Sequence, residues 1–325
     1  MNYKTVNTVG TGYSGSSAIY EFLQKTNLFY DPFPSSQFSI SYDPGGLADL
    51  EIVIKNQFTI NKSKLAHQNF LELIKFYCDK NSKFQTGKNL IKYNKDLNNL
   101  LKNFLNNILS LEYYGETTFI NYKSNIYEKF RYKILDYLYK FKKKKRKNKN
   151  KLFLFCNIEN FEKEVEKLFI EIFEKNNLQN KDIILEQAGT IFNPKSSLKY
   201  FKNPYNLCVV RDPRDIYTEL KRKGFKFPGY SVEIFCDWYD NINRKINLDE
   251  KSEKEVLFLN FEDFVIKKQE MINKIFDHIQ LERIEISKVN FDFRRCENNI
   301  NLFESELVKS EIEYIEKKLR KYLYF

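Results

Sequence analysis

The sequence predicts an α/β fold in three layers, with a central parallel β-sheet of about five strands flanked by helices. Helix-length segments separate apolar strands that are expected near residues 4–10, 152–156, 183–187, 206–210 and 256–260. Strands that alternate with helices form parallel sheets through crossover connections. A glycine-rich turn follows the first strand directly. This combination is typical of α/β folds that bind phosphate groups.

The first strand runs into a turn of glycines and small hydroxyl residues, Gly10-Thr11-Gly12-Tyr13-Ser14-Gly15-Ser16-Ser17. Glycines let the backbone turn tightly and bring its N–H groups close to an anion, and serine hydroxyls add donors. The helix that begins near Gly15 contributes the positive end of its dipole. We interpret residues 10–17 as a phosphate cradle; the alternative is a strand-turn-helix corner of small residues without a ligand.

One position of the turn departs from the nucleotide-triphosphatase pattern G-x-x-x-x-G-K-[ST]. Ser16 stands where that pattern has lysine, the residue that reaches the β and γ phosphates of ATP or GTP. A different phosphorylated ligand is therefore indicated. A kinase of the P-loop class is the competing enzyme interpretation, with Glu186 as the nearest substitute for a magnesium-binding aspartate.

A second junction between strand and helix has the sequence RDPRD at residues 211–215. Asp212 and Pro213 predict the N-cap and first position of a helix, and Gly224 predicts its end. Arg211 then lies at the carboxyl end of a parallel strand, where open α/β sheets bind ligands. Its planar guanidinium can hold phosphate oxygens. The alternative is a surface ion pair with a neighbouring aspartate.

Together the two junctions resemble the sulfotransferase family, which uses 3′-phosphoadenosine 5′-phosphosulfate (PAPS) and releases adenosine 3′,5′-bisphosphate. In that family an S-G-T-T or S-G-S-S turn holds the 5′-phosphosulfate, here residues 14–17, and the arginine of R-[DN]-P-x-[DE] holds the 3′-phosphate, here Arg211. Residues 256–264 are similar to the strand and Y-E-D-L element of many members, and residues 291–300 to a late loop over the nucleotide. The resemblance implies a bacterial enzyme that acts on surface glycans, with no metal.

The resemblance implies a nucleotide-binding set made of Gly12, Tyr13, Ser14, Gly15, Ser16, Ser17, Arg211, Thr218, Arg294 and Arg295. Many members place Lys or Arg just before S-G-T, where its charge stabilises the leaving group, but this chain has Tyr13. A phenol carries no charge near neutral pH. We expect the charge to come from another cation, and the candidates are Arg214, Lys221, Arg222 and Arg294.

A further departure lies eight residues after the motif arginine. The family usually has a serine for the 3′-phosphate there, and this chain has Glu219. A carboxylate would repel that phosphate. The contact is therefore expected to pass to Tyr217 or Thr218, and Glu219 is left out of the predicted site.

The chemistry that the resemblance implies is in-line transfer of a sulfuryl group to an acceptor hydroxyl or amine, with a base that takes the acceptor proton. Asp43 is the first candidate base, because its Pro-Gly loop is expected to return to the same sheet edge; an Asx-turn carboxylate is the alternative. Glu186, at a predicted strand end, is the second candidate, and Asp31 is the third. His67 and His278 lie in helical patterns and are interpreted as structural.

Composition is consistent with a folded, intracellular-facing protein and does not decide its function. The 325 residues carry a net charge of +11, which suits a polyanionic ligand or acceptor. Five scattered cysteines give neither zinc spacing nor a disulfide framework. No apolar run reaches the roughly 18 residues of a membrane span, and no signal peptide precedes the first strand. We expect a cytoplasmic protein, placed at the inner face of the membrane if its acceptor is a surface glycan or glycolipid.

The long segment between the first two apolar strands has helical periodicity over residues 60–141. We interpret it as a helical insertion into a single domain of residues 1–325; it either walls the acceptor site or only enlarges the core. A basic run, Lys140 to Lys151, follows it as a solvated linker or as a contact with anionic glycan or membrane lipid. Nucleic acid is not expected, since no nucleic-acid-binding pattern accompanies the run.

The acceptor and the assembly stay open at this stage. A surface glycan, a glycolipid and a small metabolite all remain possible acceptors, because specificity in such folds comes from loops on a shared scaffold. Nothing in the sequence indicates an oligomeric state. The non-enzymatic alternative is a nucleotide- or glycan-binding relative that has lost turnover, which Tyr13 makes credible.

Overall fold

The computed structural model describes residues 3–79, 88–114, 126–141, 151–155, 159, 161–174, 177, 180–224, 228 and 230–325. The chain divides into two units, one of Met1–Tyr42 with Phe169–Phe325 and one of Asp43–Leu168. The predicted single domain and the bounds of its insertion and linker stay predictions. Most of the basic run, residues 142–150, lies outside the described residues.

The strands that the structure describes are β1 (Thr5–Gly10), β2 (Phe29–Tyr30), β3 (Leu111–Tyr114), β4 (Lys151–Leu154), β5 (Asp182–Glu186), β6 (Pro204–Val210) and β7 (Val256–Asn260). Five of them form a parallel sheet in the order β2-β5-β1-β6-β7. This confirms the predicted α/β fold with a five-stranded parallel sheet flanked by helices. Because β1 is the central strand, the turn that follows it lies at the middle of the sheet edge.

One strand differs from its predicted place. The run near residues 152–156 was expected in the central sheet, but β4 pairs with β3 in a separate antiparallel sheet. The fifth central strand is β2, which is two residues long and pairs with β5. A short apolar run indicates a strand without specifying its partner, and two residues are too few to show a periodic pattern.

The helices of the first unit are α1 (Ser16–Lys25), α7 (Pro213–Arg222), α8 (Val232–Asn243), α9 (Leu248–Lys251), α10 (Phe261–Ile266), α11 (Lys268–His278), α12 (Arg294–Glu297), α13 (Phe303–Glu306) and α14 (Lys309–Leu319). Apolar side chains cover both faces of the central sheet. Val6 and Leu207 pack on one face with Ile19 and Phe22 of α1, and Val9 and Cys208 pack on the other. Burial on both faces explains why these strands are nearly continuous apolar runs.

The second unit contains the β3–β4 pair and the helices α2 (Leu47–Lys55), α3 (Ile60–Cys78), α4 (Leu97–Asn107) and α5 (Ile126–Phe141), and α6 (Phe161–Phe173) runs from it into the first unit. The apolar stripes of α3 and α4 are buried, including Phe70, Leu73, Leu101 and Phe104. The ring of His67 stacks on that of Phe153, with centroids 3.6 Å apart. No helix in the described ranges is long and apolar enough to cross a membrane.

Candidate functional site

The turn after β1 depends on backbone conformations that favour glycine. Gly15, the N-cap of α1, has φ of +85°, and a Cβ at this position would overlap the ring of Phe261. A Cβ at Gly10 would overlap the hydroxyl of Ser14. Tyr13 has a left-handed φ of 67°, which is uncommon for a residue with a side chain. The sequence Gly10 to Ser17 therefore folds as the tight turn that its glycines predict.

The cradle contains donors that the protein does not use. The Ser14 hydroxyl is buried and has no hydrogen-bond partner among the described residues. The first hydrogen bond of α1 runs from the Ala18 N–H to the Gly15 carbonyl, so the N–H groups of Ser16 and Ser17 have no acceptor within the helix, and Gly15 has no side chain to cap them. Unused donors at a helix N-terminus favour an anion. The residues of the turn thus fit a phosphate or phosphosulfate group.

The end of β5 lies against the first turn of α1. Ser17 donates a hydrogen bond of 2.5 Å to Glu186 Oε1, and Gln187 Nε2 donates one of 3.1 Å to Ser16 Oγ. The pairing of Thr8 with Glu186 in adjacent parallel strands brings these carboxyl ends together. Glu186, the second candidate base, therefore contacts the cradle through Ser17. Sequence analysis did not include Gln187, although it follows Glu186 directly.

Asp31, the third candidate base, has structural partners beside α1. Tyr20 donates its phenolic proton to Asp31, Gln24 Nε2 donates to the same carboxylate at 2.7 Å, and the Phe33 N–H donates at 2.9 Å. Burial raises the pKa of Asp31 above its ordinary value, and these hydrogen bonds oppose the shift. The arrangement ties the loop after β2 to α1.

Asp43 belongs to the second unit. Its carboxylate accepts a 2.5 Å hydrogen bond from the Tyr77 hydroxyl and lies 3.3 Å from Lys88 Nζ. Both partners belong to the same unit as Asp43. Its assignment as the base stays a prediction, and the observed contacts fix its loop against α3.

Arg211 lies at the end of β6, as predicted, and its side chain is 2% exposed. Its Nη1 donates to the Tyr13 carbonyl at 2.9 Å and to Glu219 Oε2 at 2.6 Å. Its Nη2 donates to the Asn299 carbonyl at 2.5 Å. The guanidinium carbon lies 5.2 Å from the ring centroid of Phe261. Arg211 therefore joins the cradle to α7 and to the late loop, and its charge is already paired.

Glu219 connects two cations. One carboxylate oxygen pairs with Arg211 and the other lies 3.1 Å from Lys223 Nζ. Burial acts to raise the pKa of Glu219, but the hydrogen bonds and charges of Arg211 and Lys223 outweigh it, so the pKa is lowered and the carboxylate is ionised. Lys223 Nζ also lies 4.5 Å from the ring centroid of Tyr13. Lys223, which is four residues beyond Glu219, was not among the predicted site residues.

Arg214 has partners near the C-terminal residues. It donates to Asp212 through Nε and Nη2, to Glu316 at 2.7 Å and to the Tyr324 carbonyl at 3.2 Å. Thr218, one turn later on α7, is buried and donates its hydroxyl proton to the Arg214 carbonyl at 2.8 Å. These contacts are structural. The predicted roles of both residues at the nucleotide stay predictions.

The other predicted positions on α7 contact α13 and α14. Lys221 Nζ lies 2.9 Å from both carboxylate oxygens of Glu311, and the Tyr217 hydroxyl donates to the same residue at 3.2 Å. Arg222 forms an ion pair with Glu306. Their polar groups therefore hold the C-terminal helices against α7. Lys223, the residue directly after α7, differs because it lies over the ring of Tyr13.

Arg294 and Arg295, the predicted contacts in the late loop, are exposed at the start of α12. The Arg294 side chain is 85% exposed and hydrogen bonds to Asp292 at 3.0 Å, and Arg295 lies 3.7 Å from Glu21 of α1. Their long side chains are not fixed by packing. Their part in nucleotide binding stays a prediction.

Glu262, at the start of α10, is a buried carboxylate that sequence analysis did not single out. Its Oε1 accepts a 2.8 Å hydrogen bond from the Asp212 N–H, and its Oε2 has no partner among the described residues. Burial raises the pKa of Glu262 to about 7, although the Asp212 N–H opposes the shift. The signal was present in the strand-Glu-Asp element at residues 256–264.

In the described part of the chain, no cluster of three or more His, Cys, Asp and Glu side chains has a geometry that could hold a metal ion.

Comparison with known proteins gives remote structural similarities. No protein-family model and no curated protein sequence matches the chain. Among solved structures, it is similar to the sulfotransferase domain from the curacin biosynthetic pathway, with 11% identity, a TM-score of 0.41 and 99% of each chain covered. It is also similar to sulfotransferase STF9 from Mycobacterium avium, with 9% identity and a TM-score of 0.38, over 100% of this chain and 78% of that one.

Proposed function

We propose that the chain is a sulfotransferase that holds the 5′-phosphosulfate of an adenosine donor at residues 12–17. PAPS is the donor that the sequence resemblance implies. The observation that carries the proposal is the buried Ser14 hydroxyl, which no described residue hydrogen bonds, inside a glycine turn at a helix N-terminus. Ser16, in place of the lysine of nucleotide triphosphatases, favours this donor over a triphosphate.

The transfer requires two changes of bonding at sulfur. The acceptor oxygen or nitrogen forms a bond to sulfur, and the bond between sulfur and the bridging oxygen of the donor breaks. The acceptor loses its proton, and the departing phosphate gains negative charge. The chain must therefore supply a base beside the acceptor, and positive charge or hydrogen-bonding N–H and O–H groups beside the departing phosphate.

Glu186 is the residue that we assign as the base. Its carboxylate lies at the carboxyl end of β5, 9% exposed, and is oriented by the 2.5 Å hydrogen bond from Ser17. That bond uses one lone pair of Oε1 and leaves acceptor capacity on the carboxylate for an incoming proton.

We assign to Lys223 the role of stabilising the negative charge of the leaving group. Tyr13 replaces the usual Lys or Arg, and Lys223 Nζ lies over its ring while half exposed. A cation there can stabilise charge that develops on the donor, together with the N–H groups of the cradle. Arg214, Lys221 and Arg222 are less suitable because their contacts lie with the C-terminal segments.

The acceptor that we propose is a hydroxyl or amine of a bacterial surface glycan or glycolipid, modified at the cytoplasmic side of the membrane; a small metabolite is the alternative acceptor. The excess of positive charge over the whole chain suits an anionic acceptor. The basic run of residues 140–151 is the segment that we propose for a contact with an anionic membrane surface.

One observation favours a different enzyme class. In P-loop nucleotide triphosphatases the serine or threonine after the lysine and a carboxylate from a neighbouring strand hold Mg²⁺. Ser17 and Glu186 have this relationship in the sheet. A magnesium-dependent kinase is therefore the second candidate, although the chain lacks the lysine that such enzymes use.

Isothermal titration of the purified chain separates the two. Binding of adenosine nucleotides without magnesium, and little binding of Mg²⁺-ATP, is the result that we expect. Ser14→Ala should weaken nucleotide binding by about 1.5–3 kcal/mol, the usual range for a hydrogen bond to a charged group. Preference for Mg²⁺-ATP would overturn the proposal in favour of the kinase.

A matched control is available on the same strand. The Thr5 hydroxyl is also buried and has no partner in the described part of the chain, but it lies at the opposite end of β1 from the cradle. Thr5→Val removes an unused hydroxyl as Ser14→Ala does. Equal losses of affinity in both variants would contradict a role of Ser14 in anion binding.

A further inference from the structure

The guanidinium that the sequence assigns to a 3′-phosphate has an internal anion as its partner. Arg211 Nη1 lies 2.6 Å from Glu219 Oε2, and the Arg211 side chain is 2% exposed. Its remaining observed bonds go to the carbonyls of Tyr13 and Asn299, and its buried Nε has no partner among the described residues. As arranged here, the site does not fit a 3′-phosphate, because a second anion would meet Glu219 beside the same guanidinium.

A carboxylate favours a hydroxyl on a ribose, whereas a phosphate-binding residue favours a phosphate there. In dinucleotide-binding folds an acidic side chain accepts hydrogen bonds from ribose hydroxyls, and an arginine accommodates a phosphate at that position. Glu219 is ionised and held by Arg211 and Lys223. A ribose hydroxyl can donate to such a carboxylate, whereas a phosphate at the same carbon carries up to two negative charges and repels it.

We infer that Glu219 determines the donor specificity of this chain, and that the cradle takes an adenosine 5′-phosphosulfate or 5′-phosphate whose ribose has a free 3′-hydroxyl. This inference rests on the proposed function and narrows its donor. The Glu219 carboxylate supplies, beside Arg211, the negative charge that a 3′-phosphate would otherwise supply. Arg211 then serves as a positioning residue that holds the Tyr13 carbonyl and the Glu219 carboxylate in place.

Three nucleotides test the inference by titration calorimetry on the full chain. Adenosine 5′-monophosphate should bind at least tenfold more tightly than adenosine 3′,5′-bisphosphate. Its 3′-deoxy analogue should bind more weakly than the 5′-monophosphate, since it lacks the hydroxyl that donates to Glu219. These readouts need no acceptor and no turnover.

Variants of Glu219 make the test specific. Glu219→Ser, which restores the residue usual in the family, should increase affinity for the bisphosphate at least tenfold and reverse the preference. Glu219→Gln keeps the size of the side chain but removes its charge. It should therefore also reduce the preference for the 5′-monophosphate over the bisphosphate. Glu306→Ser is the matched control, because it removes the carboxylate that pairs with Arg222, the last residue of α7, without touching Arg211. It should leave the preference unchanged.

The outcomes separate this inference from the proposed function. Tighter binding of the bisphosphate by the unmodified chain, or an unchanged preference in Glu219→Ser, would overturn the inference and leave the sulfotransferase proposal standing. Binding of Mg²⁺-ATP alone, or of no adenosine nucleotide, would overturn both. Thermal unfolding of each variant without ligand shows whether a lost affinity reflects a lost fold.

Discussion

Ser17 Oγ and Glu186 Oε1 lie 2.5 Å apart and link the first turn of α1 to the end of β5. The two residues are 169 positions apart in the chain, and the pairing of β1 with β5 brings them together. The contact places a carboxylate beside the cradle. It makes Glu186 the first residue to change.

Glu186→Gln should lower kcat by about 10²- to 10⁴-fold, the usual range for loss of a general base. Nucleotide affinity should change little, because the amide oxygen can still accept the bond from Ser17. A coupled assay of product nucleotide together with calorimetry gives both values. A large loss in Asp43→Asn with normal turnover in Glu186→Gln would return the role to Asp43.

Lys223→Met should lower kcat by about ten- to a hundredfold, because the variant removes positive charge from the donor side while keeping the length of the side chain. Lys221→Met is the matched control. It removes the same charge from α7 but breaks a pair with Glu311 instead. Equal effects of the two variants on turnover would show that net charge, and not the position over Tyr13, is responsible.

Gly15→Ala should destabilise the fold more than Gly224→Ala. Both glycines have positive φ, which costs about 1–2 kcal/mol with a side chain. At Gly15 the new Cβ also overlaps the Phe261 ring, and such overpacking adds about 1–3 kcal/mol. No described atom lies within 4 Å of a Cβ at Gly224. Urea unfolding measures the difference, and equal losses would mean that Phe261 moves aside.

Stability should depend on pH through Glu262. Its pKa rises from about 4.5 to about 7 on folding, so between these values the folded chain keeps a proton that the unfolded chain has released. The free energy of unfolding therefore falls as pH rises through this window, by on the order of 3 kcal/mol, and is level above it. In Glu262→Gln the fall should be smaller, and the variant should be the more stable protein at pH 8. An unchanged slope would assign the proton to another group.

Much of the sheet could be predicted because buried parallel strands are short apolar runs, and β1, β5, β6 and β7 are of this kind. The two-residue β2 gives no such signal, and the partner of β4 depends on packing that periodicity does not encode. The position of Arg211 followed from the helix-start residues Asp212 and Pro213, whose capping interaction is local: the Asp212 carboxylate accepts from the Arg214 N–H.

The partners of the site residues could not be predicted in the same way. Glu219 was recognised as a departure and excluded for its charge, but its pairing with Arg211 depends on the direction of α7 relative to β6. Lys223 was missed because its importance comes from Tyr13, 210 residues earlier in the sequence. Arg214 was expected at the donor, and its partners lie about a hundred residues later, at Glu316 and Tyr324.

The bonds of Arg211 also bear on how the chain folds. This one side chain connects the Tyr13 carbonyl, 198 residues away, with the Asn299 carbonyl, 88 residues away. Contacts at such separations close large loops and are entropically expensive to form early. The cradle is encoded in the first seventeen residues, yet its final shape requires residues near 300. We therefore expect nucleotide binding to be acquired late in refolding, after the strands have paired, and to serve as a sensitive report of complete folding.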